Sequence, residues 1–427
     1  VLRRIFRNVQ GEDCRNHPPK YLRFFWTLIH SVRPTSLYRF TLLPMKKFLT
    51  IVSLVIVTAI PALAADSSAA LKKGVVENYA NLVHANYADS LATAKLLQNA
   101  VEQLAAEPTE NALATAKALW IFARTPYGES EVFRFYEGPI DSEENGPEGL
   151  INAWPMDESY IDSVQGLAES GIIHNEADFP EITPELLASL NEKEGETNIS
   201  SGWHAIEFIL WGQDFSEDSA GTRPLSDFTT APNAERRLDY LQAATDLLVQ
   251  HLTMLESEWQ PDSDNYRAEF LAAPVDESLQ KILQGIGMMS GFELSGERIL
   301  VALETQAQED EHSCFSDNTH MDILANAQGV LNVYNGHYYS YLNRPVVNGP
   351  GIRDLAAAID SRLADQIGTQ IETSVALAAT VPAPFDRAIF DTNSHEILQA
   401  AVESLFVQAS MIQSLASQFG LSIAIVE

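Results

Sequence analysis

The chain is predicted to be all-α, folded as two tandem four-helix-bundle domains. Three observations carry this expectation. No window sustains the apolar–polar alternation of a half-buried strand, whereas apolar residues recur at helical spacing through most of the chain. The long helical stretches divide into roughly four before residue 262 and roughly four after residue 274, the number a bundle needs on each side. Between them Gln260-Pro261-Asp262-Ser263-Asp264-Asn265 has the composition of a linker. Each half also holds a His-centred acidic cluster near its middle, which leaves a duplication open.

Residues 1–44 are basic and aromatic and precede a plausible initiator, Met45. They are expected to be an over-extended start and not a domain; a long uncleaved leader is the alternative. Met45-Lys46-Lys47, the apolar run Phe48 to Ile60 and Pro61-Ala62-Leu63-Ala64 make a signal peptide over 45–64, with cleavage near Ala64 and an exported, periplasmic mature chain. The N-terminal bundle is expected over 65–262. Its first helix runs from Leu71 to about Glu107, with Val75, Val76, Tyr79, Leu82, Val83, Tyr87, Leu91 and Leu97 on the apolar face. Thr109 N-caps a second helix carrying Ala116, Trp120 and Ala123. Thr125-Pro126-Tyr127-Gly128 is expected to kink or break it, with a further piece over 129–136. Residues 138–200 read as loops with short helices at 161–170 and 184–191. Helices over 202–211 and 233–259 complete this half. The C-terminal bundle, 275–427, is expected as helices over 278–305, 321–339, 352–380 and 394–419.

Charge and cysteine content bound the function. Without residues 1–64 the chain keeps 17 of its 27 basic and 56 of its 58 acidic residues, a net charge of −39. Such a chain repels nucleic acid and anionic membranes and favours cations, as well as staying soluble in a salty exterior. Cys14 and Cys314 are the only cysteines, so a chain cut near Ala64 forms no internal disulfide. HExxH, GxSxG, phosphate-loop, dinucleotide and CxxCH motifs are absent from the sequence.

Three constellations remain. Gly202-Trp203-His204-Ala205-Ile206-Glu207-Phe208-Ile209-Leu210-Trp211 is apolar nearly all round, so it reads as a helix buried on every side. His204 and Glu207 share one face of it. A buried imidazole and carboxylate need each other or a metal, and mixed N/O ligation suits iron, zinc or manganese. The stretch 309–320 packs Glu309, Asp310, Glu311, His312, Cys314, Asp317 and His320 together, as a solvated acidic loop, as a second ligand set or as a polar wall facing His204. Arg124 and Glu131 flank the expected helix break, as an interhelix ion pair or as part of a site.

Gly202–Phe208 resembles the GxHxxE signature of the imelysin family, and the likeness extends to residues 124–141, 291–303 and 310–319, closest to its iron-regulated protein A branch. It covers most of residues 70–420. The resemblance implies two related helical bundles, a periplasmic or surface location and a link to iron uptake. It implies a site between the bundles holding a metal ion, iron or zinc, or a metal-bearing ligand. His204 and Glu207 would be its ligands, and Arg124, Glu131, Glu311, His312 and Asp317 candidates for its walls. An outer-membrane or periplasmic iron-uptake protein would be the partner. The family's classing as metallopeptidases gives one alternative function, and a non-catalytic peptide-binding adaptor another.

Overall fold

The computed structural model describes residues 52–342 and 344–425, with side chains from Ser68 onward. The expected upstream extension, and residues 45–51 of the expected signal peptide, lie outside the described residues. The chain divides into a unit ending at Ile60 and a unit Pro61–Glu427, and the second is the subject below. Among the described residues no helix is long and apolar enough to cross a membrane.

The all-α expectation holds. The principal helices are α1 (Val52–Ala106), α2 (Glu110–Ser130), α3 (Gly202–Trp211), α4 (Ala234–Glu258), α5 (Val275–Met288), α6 (Thr319–Asn335), α7 (Ser361–Ala378) and α8 (Thr392–Gln418). A π-helical stretch, Met289–Leu300, prolongs α5. The one sheet among the described residues is a two-residue antiparallel ladder, His337–Tyr338 with Val347–Asn348. The apolar stripe of α1 is buried as its spacing requires, with Val75, Tyr79, Leu82, Val83, Tyr87 and Leu97 all inside. His84 and Gln98 tie α1 to Glu256 and Asp246 of α4 at 2.9 and 2.7 Å. Thr109 caps α2 by accepting the Ala112 N–H.

Helices of both halves interlock around α6, which packs on α2 from the first half and α7 from the second. The α2–α6 crossing is close because small residues face each other. A Cβ on Gly329 would stand 2.4 Å from the Glu129 carbonyl oxygen, and one on Gly128 would stand 2.8 Å from the Ala325 Cβ. Gly329→Ala must push two backbones apart, so we expect a loss of about 1–3 kcal/mol, read as a lower urea midpoint at unchanged slope.

The same crossing buries Glu129, whose carboxylate accepts from Asn332 Nδ2 at 3.0 Å and from the Tyr341 hydroxyl. Burial pushes its carboxyl up to about 7, against the pull of those two donors. The proton is therefore held more tightly folded than unfolded. The resulting stability is complete below about pH 4.5 and is lost as pH rises through about 7, an effect on the order of 3 kcal/mol. Glu129→Gln should flatten that part of a stability–pH profile.

Several elements depart from the sequence reading. The chain does not break at Pro126: α2 runs on to Ser130, and Asn86 of α1 donates to the Pro126 carbonyl at 2.8 Å. A single 3₁₀ turn, Glu131–Phe133, replaces the expected helical piece, and Asp141 then accepts the N–H groups of Phe135, Tyr136 and Gly138. No helix forms over 161–170. Asp162 there is drawn to Arg223 and Arg237, and Val164 and Leu167 close a tight turn. The helix expected over 278–305 is interrupted by the π stretch. The one expected over 321–339 stops at Asn335, because Gly336 adopts a left-handed conformation and leads into the ladder. The one expected over 352–380 is cut at Asp360, which is extended and caps α7 by accepting the Arg362 N–H at 2.9 Å.

Candidate functional site

α3 enters the core through a backbone only glycine fits. Gly202 has φ +87°, and a Cβ there would lie 2.4 Å from the Ile151 carbonyl oxygen. Every residue of α3 is buried. Trp120 of α2 donates its indole N–H to the Trp203 carbonyl at 3.0 Å, and Trp120, Trp203 and Trp211 meet edge to face. This wall holds the two polar residues of the helix in place.

His204 Nδ1 lies 3.1 Å from Glu207 Oε2. Glu207 Oε1 accepts both the backbone N–H and the hydroxyl of Ser316, at 2.9 and 2.6 Å. Both carboxyl oxygens are thus engaged. His204 Nε2 is buried and has no partner. Beside it, 4.5 Å between ring centroids, stands His312. The His312 Nδ1 lies 3.0 Å from Asp322 Oδ2, and Trp154 meets the ring edge-on.

Arg124 sits behind them, fully buried. It donates to Asp322 at 3.2 Å and to Asn152 Oδ1 at 2.5 Å, and its remaining nitrogen lies 3.1 Å from His312 Nδ1. Glu131 anchors the far side, accepting from Asn152, Arg298 and Asn326 at 3.1–3.2 Å. Arg298 also grips Glu293 at 2.5 Å. A cavity of about 320 Å³, lined by Asn152, Trp154, Glu293, Glu297 and Arg298, adjoins this cluster.

The electrostatics follow from burial. His204 is held well below its ordinary range by burial, then by His312 and Arg124; His312 by burial, then by Arg298 and Arg124. Both imidazoles are neutral at neutral pH; the His312 nitrogens face Arg124 and Asp322, whereas His204 Nε2 has no partner. Burial pushes the Glu207 carboxyl up to about 8 although Ser316 pulls it down. Arg124 stays charged, because Asp322 and Glu131 outweigh its burial. Around His204 a metal would find one free imidazole nitrogen and a carboxylate already bonded to it. The arrangement suits a histidine ligand oriented by a carboxylate. A preassembled set of three ligands is not part of it. The one such set among the described residues is Asp214, Asp317 and Asp386, whose oxygens lie within 4.8 Å of one another.

Of the residues expected at the site, His204, Glu207, Arg124, Glu131 and His312 come together. Glu311 and Asp317 do not join them: they turn to the far side of the 311–318 loop, towards Asp386 and Asp214. There burial, then Asp386, holds Glu311 well above its ordinary range and pushes Asp317 up to about 7. The structure adds Asp322, Asn152, Ser316, Trp154 and Arg298. Asp322 lies two residues beyond the 309–320 stretch, and the burial of its face of α6 was the only signal that could have found it.

Among curated proteins no relative matches. Two solved structures share the fold. One is a putative iron-regulated protein A precursor from Parabacteroides distasonis, with TM-score 0.64 and 19% identity over 81% of this chain and 95% of that one. The other is an imelysin-like protein from Psychrobacter arcticum, with TM-score 0.59 and 17% identity over 84% and 98%. The family described as Imelysin matches residues 83–412, a span that takes in both halves, the Gly202 entry, the His204–Glu207 pair and the loop that closes over it, and the chain belongs to that family.

Proposed function

We propose that this imelysin-family protein binds a metal ion, iron or zinc, or a ligand carrying one, at the buried His204 imidazole, and that it does so outside the cytoplasm in iron uptake. The observation that carries the reading is the unpartnered, buried His204 Nε2. Without a bound cation Glu207 holds its proton at neutral pH; a cation at Nε2 would draw that proton off, so that Nδ1–H would donate to the carboxylate while the Nε2 lone pair would face the metal. Arg124 and Asp322 fix His312 beside it, and Trp154, which meets the His312 ring, lines the adjoining cavity. The acidic surface favours cation capture. The resemblance to the iron-regulated protein A branch supports the link to iron, and the stretch 45–64 supports export. Binding is preferred to peptide hydrolysis because Glu207, the acid bonded to His204, has both oxygens occupied, and Asp322 behind it is taken up by Arg124, Ser313 and His312, so neither is free to activate water.

Elemental analysis of protein purified without its first 64 residues tests this. Stoichiometric iron or zinc is expected, lost in His204→Ala, with affinity about 10–100-fold weaker in Glu207→Gln. Equal metal in wild type and His204→Ala overturns the reading. If the double variant His204→Ala/Glu207→Ala loses stability and keeps its metal, the pair is a core hydrogen bond, as in the adaptor alternative.

A further inference from the structure

The 311–318 loop has a second face. Asp214 follows α3, Glu311 and Asp317 stand near the two ends of the loop, and Asp386 lies in the short helix Phe385–Phe390. Asp214, Asp317 and Asp386 each offer an oxygen to one shared space, all within 4.8 Å of one another. The outward bonds of two of these carboxyls are settled: Asp214 Oδ1 accepts the Ser216 N–H at 2.9 Å, and Asp386 Oδ2 accepts from Gln308 Nε2 at 2.7 Å. Their other oxygens, Asp214 Oδ2 and Asp386 Oδ1, are buried with no donor, as is Asp317 Oδ1.

The independent observation is Glu311. Its side chain is fully buried, no well-aligned donor reaches either of its oxygens, and its close neighbour is another carboxyl, that of Asp386. It stands against Asp386 at the edge of the shared space. No arginine or lysine among the described residues pairs with any of the four carboxyl groups. Leaving several such oxygens bare in a protein interior costs several kcal/mol, which a cation between them would offset.

We propose that Asp214, Glu311, Asp317 and Asp386 form a second cation site, built entirely of oxygen donors and suited to a hard divalent ion of the size of calcium. Calcium takes 6–8 oxygens at about 2.3–2.6 Å in irregular geometry, so oxygens on opposite sides of it stand about 4.6–5.2 Å apart. Magnesium, at about 2.1 Å, draws its ligands closer and keeps its waters. The donor set contains no nitrogen or sulfur, which separates it from the borderline chemistry of His204. A cavity of about 280 Å³, lined by Asp214, Gln213, Gln308, Glu309 and Cys314, adjoins the cluster and offers entry and further oxygens. The site stands independently of the reading given for His204, since no residue is shared between them.

Calcium titration of chelator-stripped protein at pH 7.5, followed by calorimetry and thermal melting, decides the matter. One equivalent is expected to bind and to raise the melting temperature. Asp214→Asn, at the partly exposed edge of the cluster, and Asp317→Asn should each weaken binding at least about 10-fold, a change of about 1.4 kcal/mol. His204→Ala should bind calcium as wild type does. Magnesium should compete poorly. No heat and no thermal shift with millimolar calcium overturns the proposal, as does wild-type affinity in both aspartate variants. Loss of calcium binding in a folded His204→Ala variant would move the cation to the other pocket and equally overturn it.

Discussion

Asp162→Asn is expected to destabilise the fold by about 3–5 kcal/mol, because it strips the buried charge shared by two buried guanidinium groups and leaves Arg223 only the partly exposed Asp227 and Arg237 no carboxylate. Arg237 grips Asp162 through two nitrogens at 2.7 and 2.9 Å, and Arg223 through one at 2.8 Å. The Ser163 N–H adds a bond at 2.8 Å. Burial alone would raise this carboxyl, yet the two arginines hold it far below its ordinary range. The group binds its proton less tightly folded than unfolded. Its contribution is therefore complete above the unfolded value near pH 4 and disappears as the solution is acidified below it. The long loop 138–200 is pinned here to α4 and to the segment after α3, so the variant should also speed proteolysis within that loop. Urea denaturation at pH 7 measures the first effect. A change below about 1 kcal/mol would mean the arginines find other partners.

Arg124→Met is expected to cost a similar amount, about 3–5 kcal/mol, for the converse reason. It leaves Asp322 buried without its cation, with Ser313 Oγ at 2.6 Å as its main remaining donor. It also frees His312 from a neighbouring positive charge, so that the imidazole gains a proton more easily. Arg124→Met combined with Asp322→Leu removes both charges together. In a double-mutant cycle the pair should be less destabilising than the sum of its parts by more than 1 kcal/mol or so. Simple additivity would show that Arg124 acts through packing alone.

Much of this architecture was legible from residue order because helical periodicity is a local signal. The α1 stripe, the Thr109 cap and the all-round apolarity of α3 each need only a dozen neighbouring residues to be recognised. The His204–Glu207 pair was legible for the same reason. The Asp162 cluster was not: its arginines stand 61 and 75 residues away, and nothing local distinguishes them from surface cations. Asp322 was missed because a lone acid one turn into an amphipathic helix reads as solvent-facing until α2 is packed against it. The 309–320 stretch reads equally as an acidic loop, a ligand set or a wall, because residue order does not show that the loop has two sides. His312, Ser313 and Ser316 face the imidazole cluster, while Glu311 and Asp317 face away. Asp317 itself has φ +57°, a backbone state that spacing does not announce for a non-glycine residue. The link to iron came from the motif likeness alone, since composition says only that the chain attracts cations.

The winding of Met289–Leu300 sets the angular phase of one arginine. Glu293 and Arg298 are five positions apart, and at 100° per residue an ordinary helix would splay them by about 140°. Wider π winding narrows that angle, so the two side chains meet and Arg298 reaches across to Glu131. Deleting one residue from this stretch would let the coil tighten and rotate the guanidinium off its target. The cavity mouth would then lose a cation without any substitution at the mouth itself.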